Sequence, residues 1–84
     1  MGDWSELNGQ IKSRKLSARK IFQAVLDGDG EEWGGEFEHD NKFDVTIDGC
    51  GEKIIEYTQR IIASAKSRDP NCQIKIQVST LFFG

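Results

Sequence analysis

The stretch that decides the fold is "EWGGEFEHDNKFDVTID", residues 32–48. Apolar and charged side chains alternate along both halves of it, with Trp33 and Phe37 on one side of the first half and Val45 on one side of the second. Strict alternation predicts strands that are buried on one face. Residues 39–42, "HDNK", are rich in turn formers, so the whole stretch is predicted to be an antiparallel β-hairpin.

The other face of this hairpin carries carboxylates. Ordinary half-exposed sheets mix charges of both signs, because like charges on neighbouring strands repel each other. A face of one sign is therefore a candidate surface for a basic partner, and the alternative is a solvated face that binds nothing. The predicted partner-binding residues are Glu32, Glu36, Glu38, Asp40, Asp44 and Asp48.

Apolar residues upstream of the hairpin recur at helical spacing from Trp4 to Val25. The pattern predicts a helix over about residues 4–26, with a break near residues 13–17. The run "KIFQAVL", residues 20–26, also fits a strand, since a short apolar run does not distinguish the two.

Two further elements follow the hairpin. Residues 52–67 carry an apolar stripe at helical spacing, and Pro70 forbids continuation of that helix. Residues 72–83 alternate again and predict a last strand. The sequence thus predicts one α+β domain over residues 1–84, with a three-stranded sheet made of the hairpin plus a strand returning through a helix. Both helices are expected on one face of the sheet.

Charge is strongly segregated along the 84 residues, although the net charge is only −3. Residues 27–52 hold ten acidic residues and one lysine, a net charge of −9, whereas the segments before and after it each carry +3. No apolar run reaches the roughly 20 residues that a membrane span needs, and the acidic start does not resemble a signal peptide. The two cysteines do not suggest a disulfide framework, so a cytoplasmic protein with free thiols is expected.

The acid-rich residues 27–38 could suggest an EF-hand calcium loop. The sixth position of such a loop requires glycine for its sharp turn, and here it is Glu32. The segment that follows alternates as a strand, where an EF-hand has its exit helix. We therefore predict no specific metal site, with at most weak divalent-ion binding at residues 27–32, and no cofactor.

Catalytic chemistry has little support in the sequence. Cys50 lies between two glycines at a predicted strand-to-helix turn, where a helix N-terminus lowers the pKa of a thiol. His39 is the only histidine that could serve as a base, and it is predicted on a neighbouring strand. A structural role for Cys50, as a small residue that fits a tight turn, is the favoured interpretation. No catalytic residue is therefore predicted, and the protein is expected not to be an enzyme.

The expected function is a small non-enzymatic protein-binding module or inhibitor. Its acidic sheet face would dock on the basic surface of a protein such as a nucleic-acid-binding protein, by analogy with small acidic proteins of phages that block such machinery. The alternative is a small nucleic-acid-binding domain that uses the bases of "KSRKLSARK", residues 12–20, on the first predicted helix. Leu81 and Phe83 lie on the otherwise polar face of the last predicted strand, where they either fold over an edge of the sheet or form a small apolar patch for self-association.

Overall fold

A computed structural model of the chain describes residues 2–39 and 41–83. Asp40, in the hairpin turn and among the predicted binding residues, lies outside the described residues. The fold is α+β, as predicted. Its elements are β1 (Gly2–Lys12), α1 (Ala18–Phe22) with a π-helical turn directly after it (Gln23–Asp27), β2 (Trp33–Glu38), β3 (Lys42–Asp48), α2 (Glu52–Arg68) and β4 (Gln73–Phe83).

The sheet has four strands, and the prediction of three was wrong. The additional strand is β1, which lies inside the sheet between β3 and β4 and was predicted to be the first half of a helix. Leu7 and Ile11 are four residues apart, a spacing that suits one face of a helix and one face of a strand equally. Ser5 is buried together with them, which fits the period of two. Gly9 also disfavours a helix, as glycine does in any helix interior.

The first helix is correspondingly short. It begins at Ala18, where the side chain of Ser17 caps it by accepting a hydrogen bond from the backbone N–H of Lys20. Residues 20–26 are helical, which decides between the two predicted readings of that run, and the last turn is widened into a π-helix over Gln23–Asp27. The predicted helix over residues 4–26 therefore divides into a strand, a loop and a short helix.

The strand order is β2-β3-β1-β4, with every neighbouring pair antiparallel. The chain thus forms two interleaved β-α-β units, one running β1-α1-β2 around β3 and the other β3-α2-β4 around β1. Each helix crosses between strands that are two positions apart in the sheet, and both cover the same face. The two strands in the middle of the sheet are consequently buried beneath the helices, and β2 and β4 form its edges.

One hydrophobic core joins the helices to the sheet, with Phe22 of α1 at its centre. The Phe22 ring lies 4.8 Å from the ring of Phe43 and 5.8 Å from that of Phe37, measured between centroids, and 6.3 Å from that of Trp33. Aromatic pairs at such separations add to the energy of burial. Trp33 and Phe37 are thus on the helix-covered face, as the alternation in β2 predicted.

The second helix begins after Gly51, which has φ = 65°, a left-handed conformation that favours glycine. Glu52 in its first turn and Arg68 in its last turn have the signs that the helix dipole favours. This 17-residue helix buries Ile54, Tyr57 and other residues against the core. Within residues 2–39 and 41–83, no helix is long and apolar enough to cross a membrane.

Candidate protein-binding face

The sheet has one face that no helix covers, which we call the open face. Alternation along each strand, combined with the pairing register, determines which residues project from it. Every residue of this set is at least partly exposed. The set comprises Trp4, Glu6, Asn8, Gln10, Gly34, Glu36, Glu38, Lys42, Asp44, Thr46, Asp48, Lys75, Gln77, Ser79 and Leu81.

Three carboxylates form a row across neighbouring strands of the open face, and we call them the acid row: Glu36 on β2, Asp44 on β3 and Glu6 on β1. Glu36 and Asp44 are direct register partners, and Glu6 is diagonal to Asp44 because it pairs with Thr46. Like charges that face each other across strands destabilise a sheet. In the part of the chain that the structure describes, no basic side chain forms an ion pair with Glu36 or Asp44.

The proximity of these groups alters the acidity of Glu6. A hydrogen bond shared with the Asp44 carboxyl group, and then the negative charge of Asp44, raise the pKa of Glu6 above its usual value of 4.5. The folded protein therefore binds a proton at this position more readily than the unfolded chain does. The acid row is consequently a strained arrangement of charge that a nearby cation would relieve.

The acid row borders a shallow groove of about 670 Å³ that extends over β2, β3 and β1. Gly34 in the floor has no side chain, and a Cβ there would meet no atom within 4 Å. The walls combine the indole of Trp4 with the carboxylates of Glu6, Glu32 and Glu36. An aromatic face beside carboxylates is a favourable environment for an ammonium or guanidinium group.

The predicted binding residues are distributed over this face as follows. Glu32, Glu36 and Asp44 meet around the groove. Glu38 lies toward one end of the face, opposite Lys42, and Asp48 lies toward the other end, opposite Trp4. Asp40 is outside the described residues. Sequence analysis left Trp4 and Glu6 out of the predicted set, because both were assigned to a helix. The sequence shows no clear period of two here, since Ser5, which lies on the buried side, is polar.

A second set of acids, in the loop before β2, is used within the fold. The phenolic oxygen of Tyr57 lies 3.0 Å from a carboxylate oxygen of Asp29 and 3.2 Å from one of Glu31, so the two carboxylates share its single hydroxyl hydrogen. Arg60 forms an ion pair with Asp29, which lowers the pKa of that carboxyl group, and Lys53 lies 2.7 Å from Glu31. These contacts of Asp29 and Glu31 hold the loop before β2 against α2. Among the described residues, no three acidic, cysteine or histidine side chains are grouped to hold a metal ion.

The basic segment does not form one helical face, contrary to the prediction. Lys12 ends β1, Arg14 and Lys15 lie in the following loop, and only Arg19 and Lys20 belong to α1. Arg19 lies over the ring of Phe37, with its guanidinium carbon 5.0 Å from the ring centroid. The bases are therefore spread over three kinds of local structure.

Cys50 is exposed, and its thiol donates a hydrogen bond to Asp3 at 3.4 Å. This hydrogen bond, together with desolvation and the negative charge of Asp3, raises the pKa of Cys50. The expectation of a lowered pKa at this helix N-terminus was wrong, because the thiol is hydrogen-bonded to the carboxylate of Asp3. The thiol is thus less reactive at neutral pH than an ordinary cysteine.

Comparisons with known proteins bear on the fold. No protein-family model matches the chain, and no curated protein matches it. The structure is similar to a de novo designed protein, LFR1 1, with a ferredoxin fold determined by solution NMR: the TM-score is 0.60 and the identity 17%, covering 89% of this chain and 83% of that one. It is also similar to the de novo designed protein Foldit4, with a TM-score of 0.59, 16% identity and coverage of 92% and 96%. The arrangement of four antiparallel strands and two helices is therefore ferredoxin-like.

Proposed function

We propose that the protein is a small non-enzymatic binding module whose open face docks on the basic surface of a partner protein. The observation that supports this proposal is the acid row, Glu6, Asp44 and Glu36, in which like charges lie side by side across three strands. Self-repulsion on a sheet face lowers stability. A partner that brings lysine or arginine onto the acid row would turn this repulsion into attraction.

The shape of the open face supports a protein partner. The groove beside Trp4 is shallow, with a volume of about 670 Å³, and open to solvent along its length. It suits one or two long cationic side chains that project from a surface. Arginine is favoured over lysine for this purpose, because its planar guanidinium can bind a carboxylate with two parallel hydrogen bonds and stack on the indole of Trp4.

Electrostatics would act mainly on the speed of association. Complementary charge steers two proteins together and raises the association rate constant by up to several powers of ten at low salt. A cytoplasmic inhibitor that occupies the phosphate-binding surface of a nucleic-acid-binding protein would use charge in this way. The proposal requires no catalytic group, cofactor or metal.

Affinity capture with charge-reversal variants tests the proposal. In the first variant, Glu36, Glu38 and Asp44 are replaced by lysine; all three side chains are exposed, so the core is unaffected. In the matched control, Lys12, Arg14 and Lys15, which are also exposed, are replaced by glutamate. Circular dichroism establishes that both variants are folded before capture is compared.

We expect the wild-type protein to capture a basic partner at physiological ionic strength and to release it at about 1 M salt, where the Debye length is only about 3 Å. The acid-face variant should lose the partner, and the control should keep it. Capture by the acid-face variant together with loss by the control would contradict the proposal. That result would favour a nucleic-acid-binding role for residues 12–20.

A further inference from the structure

Strand β4 is a long edge strand. It runs over eleven residues, Gln73–Phe83, and pairs with β1 on one side only; no strand in the described part of the chain pairs with its other side. An edge strand presents a row of backbone N–H and C=O groups that can pair with another chain. The outer edge of β4 is therefore a template for strand addition.

The backbone pattern indicates which groups of β4 face outward. The backbone N–H of Ile11 donates to the carbonyl of Asn41, and that of Gly49 donates to the carbonyl of Asp3. Odd-numbered residues of β1 thus direct their backbone groups toward β3, and the even-numbered ones toward β4, since these directions alternate along an antiparallel strand. The register then directs the backbone groups of Gln77 and Ser79 toward β1. Those of Ile76, Val78 and Thr80 point away from the sheet.

The two edge strands of the sheet, β2 and β4, differ in the features that prevent them from pairing with another chain. Edge strands are usually guarded by charge, proline or shortness. Strand β2 has six residues and carries Glu36 and Glu38, so a second copy approaching this edge meets like charge. Strand β4 has no proline, and residues 76–83 carry no charge. Of the two edges, β4 is the one that can accept a copy of itself.

An apolar groove runs beside this edge on the helix-covered face, between α2 and β4. Ile55 is 58% exposed and Val78 is 49% exposed, so about half of the surface of each of these apolar residues is in contact with solvent. Together with Ile54, Thr58 and Thr80 they line a groove of about 310 Å³. Strand addition at β4 would bring further apolar side chains over this groove.

We propose that two copies of the chain associate through antiparallel pairing of β4 with β4, forming one continuous eight-stranded sheet. A two-fold axis beside Val78 would place the two Val78 side chains next to each other, with Ile55 of each copy above them. Ile76 would then lie opposite Thr80 of the second copy, and the outward backbone groups would form about ten hydrogen bonds. Lys75 would lie opposite Leu81 of the second copy, so the pairing brings no like charges together.

The charge distribution favours this arrangement for two molecules of equal charge. The acidic edges at β2 would lie at the two ends of the joined sheet, seven strand spacings apart, or roughly 34 Å. The Debye length at physiological ionic strength is about 8 Å, so repulsion between these edges would be screened. The pairing is independent of the proposed function, because β4 lies at the opposite side of the sheet from Glu36.

Sedimentation velocity and light scattering at about 100 μM protein test the proposal, since a Kd near 10 μM already gives mostly dimer at this concentration. The wild-type chain is expected at twice the 9.5 kDa of one copy. Two variants should return the mass to that of a single copy. Val78→Lys introduces charge on the two-fold axis, and Thr80→Pro removes one outward N–H without removing a bond to β1. Gln23→Lys adds the same charge at an exposed position of the π-helical turn, outside β4 and outside the lining of the apolar groove, and should keep the mass of the dimer.

Circular dichroism of each variant checks that the domain is folded. The two variants disrupt the pairing of β4 by different means, so if one of them fails to fold, the other still tests the proposal. A wild-type mass equal to that of one copy would overturn the proposal. A dimer mass that persists in both folded variants would also overturn it, because the copies would then associate through another surface.

Discussion

Gly9 lies in β1, where the backbone comes closer to β4 than any side chain allows. A Cβ atom at this position would overlap the carbonyl oxygen of Lys75 and would lie 2.8 Å from the carbonyl carbon of that residue. It would also lie 3.1 Å from the Cα atom of Ile76. All three neighbours are backbone atoms, so no side-chain rotation can relieve the contact. Gly9→Ala therefore forces β4 away from β1.

The size of the effect follows from the hydrogen bonds between these strands. Relieving the overlap requires a shift on the order of 1 Å, which lengthens N···O distances of about 2.9 Å beyond the range of a hydrogen bond. Two or three weakened bonds at roughly 1 kcal/mol each, plus poorer packing beneath them, lower the free energy of unfolding by about 2–4 kcal/mol. A domain of this kind has only about 5–10 kcal/mol in total. Gly9→Ala should thus remove about 40% of its stability.

Urea denaturation followed by tryptophan fluorescence measures this loss. The matched control is Gly34→Ala on β2, where a Cβ would meet nothing within 4 Å. The control should remain within about 1 kcal/mol of wild type, in the stabilising direction, because alanine restricts the unfolded chain. If Gly9→Ala and Gly34→Ala had equal free energies of unfolding, the close approach of β1 to β4 would be refuted. The assignment of residues 2–12 as a strand inside the sheet would then be refuted as well.

Three further predictions concern side chains of known environment. The raised pKa of Glu6 means that stability increases as the pH falls from neutrality toward 4.5, so Glu6→Gln should raise the melting temperature at pH 7 and flatten that dependence; an unchanged pH profile would contradict the acid row. Burial, followed by the nearby carboxylates, raises the pKa of Tyr57 from 10 to about 12, so wild-type stability should fall as the pH rises from 10 through 12. Tyr57→Phe should lose about 1–2 kcal/mol at neutral pH and lack this alkaline decline, and an equal decline in both proteins would refute the assignment. In the native protein a thiol reagent should label exposed Cys50 and reach buried Cys72 only on unfolding, whereas a mass two units below the reduced monomer would reveal a disulfide and contradict this.

The hairpin and the second helix could be predicted from sequence because each pattern has one interpretation. In residues 43–47, every second side chain is apolar, and a helix cannot place such a set on one face. In α2, buried residues recur every three or four positions, which a strand cannot bury on one side; they are Ile54, Tyr57, Ile61 and Ala65. Local periodicity was therefore sufficient for these two elements.

The first strand could not be predicted in the same way. Its two large buried residues, Leu7 and Ile11, fit both the helical period of about 3.6 residues and the strand period of two. The helix that begins at Ala18 has apolar residues in phase with them, so the sequence alone shows a helical pattern from residue 4 onward. Only the partners of β1 decide its conformation, since it is held on both sides by β3 and β4. The error had a functional consequence, because Trp4 and Glu6 were left out of the candidate site.

The acid row of Glu6, Asp44 and Glu36 is the centre of this account, and the association rate constant of the captured partner tests it most directly. Stopped-flow measurements would compare wild type with a neutral variant carrying Glu36→Gln and Asp44→Asn, at about 50 mM and at about 500 mM salt, a range over which screening strengthens severalfold. We expect the wild-type rate constant to fall at least about tenfold with added salt. The variant keeps Glu6, Glu32 and Glu38, so its rate constant should be lower at low salt and should fall less with added salt. Equal rate constants for the two proteins at low salt would contradict the account.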